Sequence, residues 1–247
     1  MTDLIITRLE DKSEKVRAKA AFRLANCQDD KVIHALLRAL EDPSPKVRRQ
    51  AAYALSTIAP ISALEQLGNS LQETDIETCR RIALTLGKIG HPDAVPHLIS
   101  LFGREDIELH YAAQRAIIRI GEPSIPVLID LYESPDPRMR AFAVQTLGRI
   151  GDKQAIEVFI RALKDPDKWI RWMTASIACS MSDERFIEPL IECLDDEFMR
   201  WNAAWALGYV GDKKTIKILS SIANDPKRDK VLRSKAEYAI KHIHQRE

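Results

Sequence analysis

Trp172, Trp201, Trp205, Tyr209 and Tyr238 concentrate aromatic surface in the last third of this 247-residue chain. Rings of this size lose little conformational entropy on binding, and with arginine nearby they have the composition of interaction hot spots. The basic residues that could accompany them lie mostly earlier, at Arg49, Arg80, Arg81, Lys88, Arg115, Arg119 and Arg149, with Tyr53, Tyr111 and Phe142 interspersed. Bond-making chemistry has no comparable signature. The histidines are His34, His91, His97, His110, His242 and His244; they form no H-E-x-x-H pair, and no His-Glu step recurs. Cys27, Cys79, Cys179 and Cys193 make no C-x-x-C pair and read as reduced thiols in core or surface slots. A phosphate-binding G-x-x-x-x-G-K-S/T loop and a G-x-S-x-G elbow are both missing. The expectation is no catalytic residue, no metal and no cofactor.

The element that must hold the aromatic and basic residues is a repeat of about 31 residues running from end to end. Val47-Arg48, Ala51, Leu55 and Ile58 recur as Val16-Arg17, Ala20, Leu24 and Cys27, then as Met139-Arg140, Ala143, Leu147 and Ile150. Further copies begin at Ile170-Arg171, Met199-Arg200 and Leu232-Arg233, while Thr78-Cys79 and Leu109-His110 head two degraded ones. The eight copies span approximately 1–28, 29–59, 60–90, 91–121, 122–151, 152–182, 183–211 and 212–247, read as one repeat domain over 1–247. Spacing inside a copy is helical, not alternating. In residues 29–59, Asp29 or Asp30 caps a first helix carrying Val32, Ile33, Leu36, Leu37 and Leu40. Asp42-Pro43-Ser44-Pro45 ends it, and a second helix follows. Gly90, Gly121, Gly151 and Gly211 are expected as left-handed caps of second helices, with Asp152 and Asp212 capping the helices that follow. Units too short to fold singly must bury their apolar faces against each other, so the fold class is an all-α solenoid of helical hairpins.

The line V-R-x-x-A-x-x-A-L-x-x-I-G resembles HEAT-like repeats of the phycobilisome-lyase type. Val47-Arg48 with Ala54-Leu55 and Ile58, and Met139-Arg140 with Leu147-Gly148-Arg149-Ile150-Gly151, carry the match. The resemblance implies a ladder of structural arginines, Arg17, Arg48, Arg140, Arg171, Arg200 and Arg233, each tying a loop to the second helix and the next repeat. Asp11, Asp42 and Asp165 stand six residues ahead of Arg17, Arg48 and Arg171 as carboxylate partners. Cys79 and His110 interrupt this ladder, so a bend or softer junction is expected near residues 70–115.

In solenoids of this kind second helices line the concave side. Five positions per copy point off the apolar stripe, and none of them is Asp or Glu although the chain holds 36 acids and 37 basic residues. A positive concave face on a chain of net charge +1 is the expectation, with Trp172 and Trp201 in one column at a helix-packing distance of roughly 10 Å. The same rings could instead pack on the neighbouring helix, and the position leaves that alternative open.

The favoured reading is a non-catalytic scaffold for protein binding. Its partner is an acidic or amphipathic segment of another protein, steered by the basic residues and anchored by the tryptophans. The resemblance implies a second reading, a bilin lyase that meets propionates with cations and rings with aromatics. A third is nucleic-acid binding along a basic groove, against which the near-neutral pI weighs. No apolar run approaches the about 20 residues of a membrane span, and no secretory leader opens the sequence, so a cytoplasmic monomer without membrane contact is expected.

Overall fold

Proline, aspartate and glycine set the helix ends, and the 31-residue period resolves into pairs of helices in a computed structural model that describes residues 2–72 and 75–246. No strand occurs among the described residues. Contacts divide the chain into two units, Met1–Val127 and Leu128–Glu247. The first holds α1 (Thr2–Thr7), α2 (Glu14–Arg23), α3 (Asp30–Ala39), α4 (Pro45–Ile58), α5 (Leu64–Ser70), α6 (Ile76–Ile89), α7 (Ala94–Ser100) and α8 (Ile107–Ile120). Helix α9 (Ile125–Tyr132) carries the boundary. The second unit continues with α10 (Pro137–Ile150), α11 (Ile156–Ala162), α12 (Lys168–Met181), α13 (Ile187–Glu192), α14 (Arg200–Val210), α15 (Lys213–Ala223) and α16 (Lys230–Arg246). Even-numbered helices are the second helices of each hairpin. Each unit is an all-α stack of such hairpins, as the sequence predicts.

Capping chemistry follows the sequence closely. Asp29 accepts the Lys31 N–H at the start of α3, and Asp212 forms a reciprocal capping box with Thr215 on α15. Gly90, Gly121 and Gly151 take positive φ after α6, α8 and α10. Gly211 does not; its backbone is extended, with φ −64°. Its glycine is required for another reason, since a Cβ there would stand 2.4 Å from the Leu207 carbonyl oxygen. Where the repeat lacks glycine, Ala59 and Ser182 are forced into the left-handed region, both at φ 48°.

Small residues let second helices approach. A Cβ at Gly87 would come within 2.8 Å of the Ala116 Cα, and one at Gly208 within 3.0 Å of the Ala239 Cα. Helix α6 therefore lies almost backbone to backbone on α8, and α14 on α16. In both units the second helices pack on one another more extensively than the first helices do. Ala51, Leu55, Ala113, Ile117, Ala143, Leu147, Ala203 and Leu207, the apolar stripe read from the repeat, are fully buried.

The arginine ladder is present with a different wiring. Arg17 donates from Nη1 to the Asp11 main-chain carbonyl, and its Nε and Nη2 reach the Asp42 carboxylate at 2.7 and 2.9 Å. Arg140 does the same with the Ser134 carbonyl and the Asp165 carboxylate. The residue six before the arginine thus supplies a carbonyl, and the carboxylate comes from the following repeat. Arg48 pairs with Asp75, Arg171 with Asp196 and Arg200 with Asp229, while no carboxylate meets Arg233 among the described residues. Burial raises the Asp42 and Asp165 carboxyls more than any other single effect, but the arginine hydrogen bonds and charge, the Ser44 and Asp167 main-chain N–H groups and, at Asp165, the Tyr132 hydroxyl together outweigh it and hold both below the ordinary carboxylate range.

At the interrupted rung the polarity is reversed. Arg104 lies 25 residues after Cys79, the Arg17-to-Asp42 spacing, and donates back to the Leu71 carbonyl and the Cys79 sulfur. His110 meets the Arg104 carbonyl at 2.8 Å and stacks on Phe102. The expected soft junction includes residues 73–74, which lie outside the described residues.

Candidate recognition surface on the second helices

In the second unit, register places Trp172 near the start of α12 and Trp201 near the start of α14, in equivalent positions. Each keeps 45% of its surface exposed, so neither is a core ring. The Trp201 indole N–H donates to the Asp229 carboxylate at 3.0 Å. One turn along α14, Trp205 meets Tyr209 edge-on with centroids 4.9 Å apart. Tyr209 in turn lies 4.5 Å from the His242 ring, and His242 stacks on Tyr238. A hydrogen bond with Tyr238 raises the Tyr209 phenol above its ordinary range. Trp205 and Tyr209 are half-buried, whereas Tyr238 is exposed. Four rings from α14 and α16, Trp205, Tyr209, His242 and Tyr238, thus form one continuous cluster, with Trp201 one turn before Trp205 on α14 and Trp172 in the equivalent position on α12.

His242 is a member that the sequence reading left out of the candidate set: its Nδ1 is bonded to the Gly208 carbonyl at 2.9 Å, inside helix α16. Its position equivalent to Tyr209 was the available signal. Trp169 meets the Phe198 ring edge-on and stays exposed, with the Lys168 ammonium over both rings. Phe142 is a correction: it occupies a column position but is only 5% exposed, so its ring is buried in the fold and not presented to a partner. Arg149 is exposed on α10.

In the first unit the column positions carry Arg49, Tyr53, Arg80, Arg81, Lys88, Tyr111, Arg115 and Arg119, and all reach solvent at least in part. The expected freedom from acids fails at one edge. Glu77 binds Arg80 at 3.1 Å and Arg81 at 2.9 Å, and Glu108 adds a second carboxylate to Arg80 at 3.2 Å. These acids sit in the first turns of α6 and α8, where helix dipoles favour them, just outside the columns read from the sequence. Arg80 and Arg81 are therefore internally neutralised. Arg49 donates to the Pro45 carbonyl and Lys88 to the Ser56 carbonyl.

Two of the four thiols are poorly placed for nucleophilic work. Burial pushes the Cys179 thiol up to about 12 and the Cys193 thiol up to about 11, so both stay protonated at neutral pH. Among the described residues no three His, Cys, Asp or Glu side chains converge as metal ligands, and no helix is long and apolar enough to cross a membrane. A cleft of about 1200 Å³ opens on the first-helix side of the first unit, lined among others by Lys31, His34, Arg38, Asp42 and Arg48. Its charges are mixed, and two of these residues are ladder members.

Comparison with known proteins converges on the repeat. A family model described as HEAT repeats matches residues 2–84, 64–136, 125–198 and 162–241. No curated protein matches the sequence. Among solved structures, importin beta aligns over 99% of this chain and 41% of its own, with 14% identity and a TM-score of 0.59; at that identity the likeness is one of fold. A chain from the structure of the CpcE–CpcF complex of phycocyanin lyase from Nostoc sp. aligns over 98% of this chain and 94% of its own length, at 20% identity and TM-score 0.47. Human deoxyhypusine hydroxylase covers 99% and 96%, at 21% identity and TM-score 0.45.

Proposed function

The chain belongs to the HEAT-repeat family, and from that premise we propose that it is a non-catalytic scaffold whose second-helix face holds an acidic or amphipathic segment of another protein. The carrying observation is the pair Trp172 and Trp201. They keep nearly half their surface in equivalent positions of adjacent helices, beside a patch of three further aromatics and a histidine. Rings that served only to pack would be covered. A monomer rarely leaves such a cluster open without a partner for it.

Charge supports an acidic segment. Lys235 and Lys241 are exposed on α16, on the helix that presents Tyr238 and His242. Residues 212–247 hold ten lysines and arginines against five acids, in a chain whose total is balanced to +1. Of these, Arg228 pairs with Asp195, and Arg246 bonds the Tyr209 and Gly211 carbonyls. Most of the lysines remain available to steer an anionic partner.

The test is affinity capture from an extract of the source cells, quantified for the wild type and for Trp172→Ala/Trp201→Ala/Trp205→Ala. Partners bearing acidic or amphipathic segments should fall at least tenfold with the triple variant while its melting temperature holds. A partner set identical for both proteins would remove the proposal.

A further inference from the structure

The first unit carries a second surface, made of different residues from the aromatic patch. Phe22 on α2 and Tyr53 on α4 stack with centroids 5.6 Å apart, and both stay exposed, Phe22 at 53%. Leu84, in the same repeat position on α6, is also exposed. These three side chains form an apolar ribbon that crosses three successive second helices. At the next helix the equivalent position changes character and becomes Arg115. Arg119 follows one turn along α8, Tyr111 precedes one turn before and is 59% exposed, and Lys88 sits at the adjacent position of α6. Neither Arg115 nor Arg119 makes a hydrogen bond or ion pair among the described residues, in contrast to Arg80 and Arg81, which Glu77 and Glu108 neutralise. Two exposed guanidinium groups that no ion pair engages among the described residues therefore stand at one end of an uncovered apolar ribbon.

We propose that this ribbon docks an amphipathic helix of a partner protein, apolar over α2, α4 and α6 and acidic where it passes α8. The proposal rests on the scaffold reading but assigns a separate site with a defined polarity. Helicity follows from the chemistry of the ribbon. Phe22 and Leu84 offer no hydrogen-bond donor or acceptor, so an extended segment lying on them would leave main-chain groups unmet, whereas a helix satisfies its own. Spacing gives the register. Packed helices stand about 9 Å apart, so the distance from the Phe22–Tyr53 stack to α8 is on the order of 20 Å. At 1.5 Å per residue that separates the apolar anchors of the partner from its acids by about 13 residues.

The probe is a fluorescein-labelled 20-residue helical peptide with leucines on one stripe of its first half and three glutamates in its last turns. Anisotropy titration against the full chain at low salt should give saturable binding. Tyr53→Ala and the pair Arg115→Glu/Arg119→Glu should each weaken it at least fivefold, and only the arginine pair should flatten its salt dependence. A peptide with lysines in place of the glutamates should not bind. Trp201→Ala/Trp205→Ala should leave the titration unchanged, so this site can fail while the reading of the second unit survives, and the reverse. All substituted residues are exposed or half-buried, and unchanged far-UV circular dichroism excludes misfolding. Absent binding, equal binding of the lysine peptide, or loss confined to the tryptophan variant would each overturn the proposal.

Discussion

Asp11 and Asp42 head the same local motif in the same unit, and removing each should have very different consequences. Asp11 accepts the Ser13 N–H at 2.8 Å, and Asp42 accepts the Ser44 N–H at 2.8 Å. Only Asp42 also receives an arginine, with Arg17 Nε at 2.7 Å and Nη2 at 2.9 Å. Asp11→Ala should therefore lose one loop hydrogen bond, about 1 kcal/mol. Asp42→Ala loses that bond and leaves a mostly buried guanidinium without its counter-ion, a change that costs about 3–5 kcal/mol for a fully buried pair. Arg17 keeps the Asp11 and Lys12 carbonyls, and some solvent reaches the pair, so the lower end applies, about 3 kcal/mol. Urea unfolding followed by far-UV circular dichroism reads the difference. With a slope near 2 kcal/mol per molar, the midpoint should drop by roughly 1.5 M for Asp42→Ala and by roughly 0.5 M for Asp11→Ala. Adding Arg17→Met to Asp42→Ala should recover part of the loss, since no uncompensated charge then remains. Equal midpoint shifts for the two aspartates would refute the cross-repeat rung.

Acid should expose the same rungs. The folded Asp42, Asp75 and Asp165 carboxyls are held below their unfolded values, so their contribution is complete above the unfolded value near 4 and is lost as pH falls through the folded ones. Urea midpoints should be insensitive to these groups above about pH 5 and should fall below about pH 4, less steeply in Asp165→Asn. Ala59→Gly should raise stability by about 0.5–1 kcal/mol, because glycine removes the left-handed strain that alanine bears; a lower melting temperature would contradict this. Gly87→Ala should lower it by about 1 kcal/mol or more despite the better helix propensity of alanine, because the added carbon meets the α8 backbone. Gly103→Ala, where a Cβ meets nothing within 4 Å, is the matched control.

The helix pairs were legible because a 31-residue period, prolines and capping aspartates all point to one arrangement, and column positions followed from it. Phe142 was misplaced because a column fixes direction only to within a helix face, and a ring there can lean into the neighbouring groove. Glu77 and Glu108 were missed since they belong to first turns, three residues ahead of the first column positions, yet their side chains reach Arg80. The ladder partner was assigned within one copy, when a guanidinium on a second helix spans to the next loop and meets an aspartate 25 residues on. That spacing was in the sequence, and it would have found the reversed Cys79–Arg104 rung as well.

The central claim is that tryptophans on the second-helix face of the second unit are open to solvent in positive surroundings, ready for an anionic segment. Quenching of tryptophan fluorescence by iodide and by caesium at equal ionic strength tests it directly. The account predicts stronger quenching by iodide, with the excess lost in Trp172→Phe/Trp201→Phe. Protection from both ions, or stronger quenching by caesium, would contradict it.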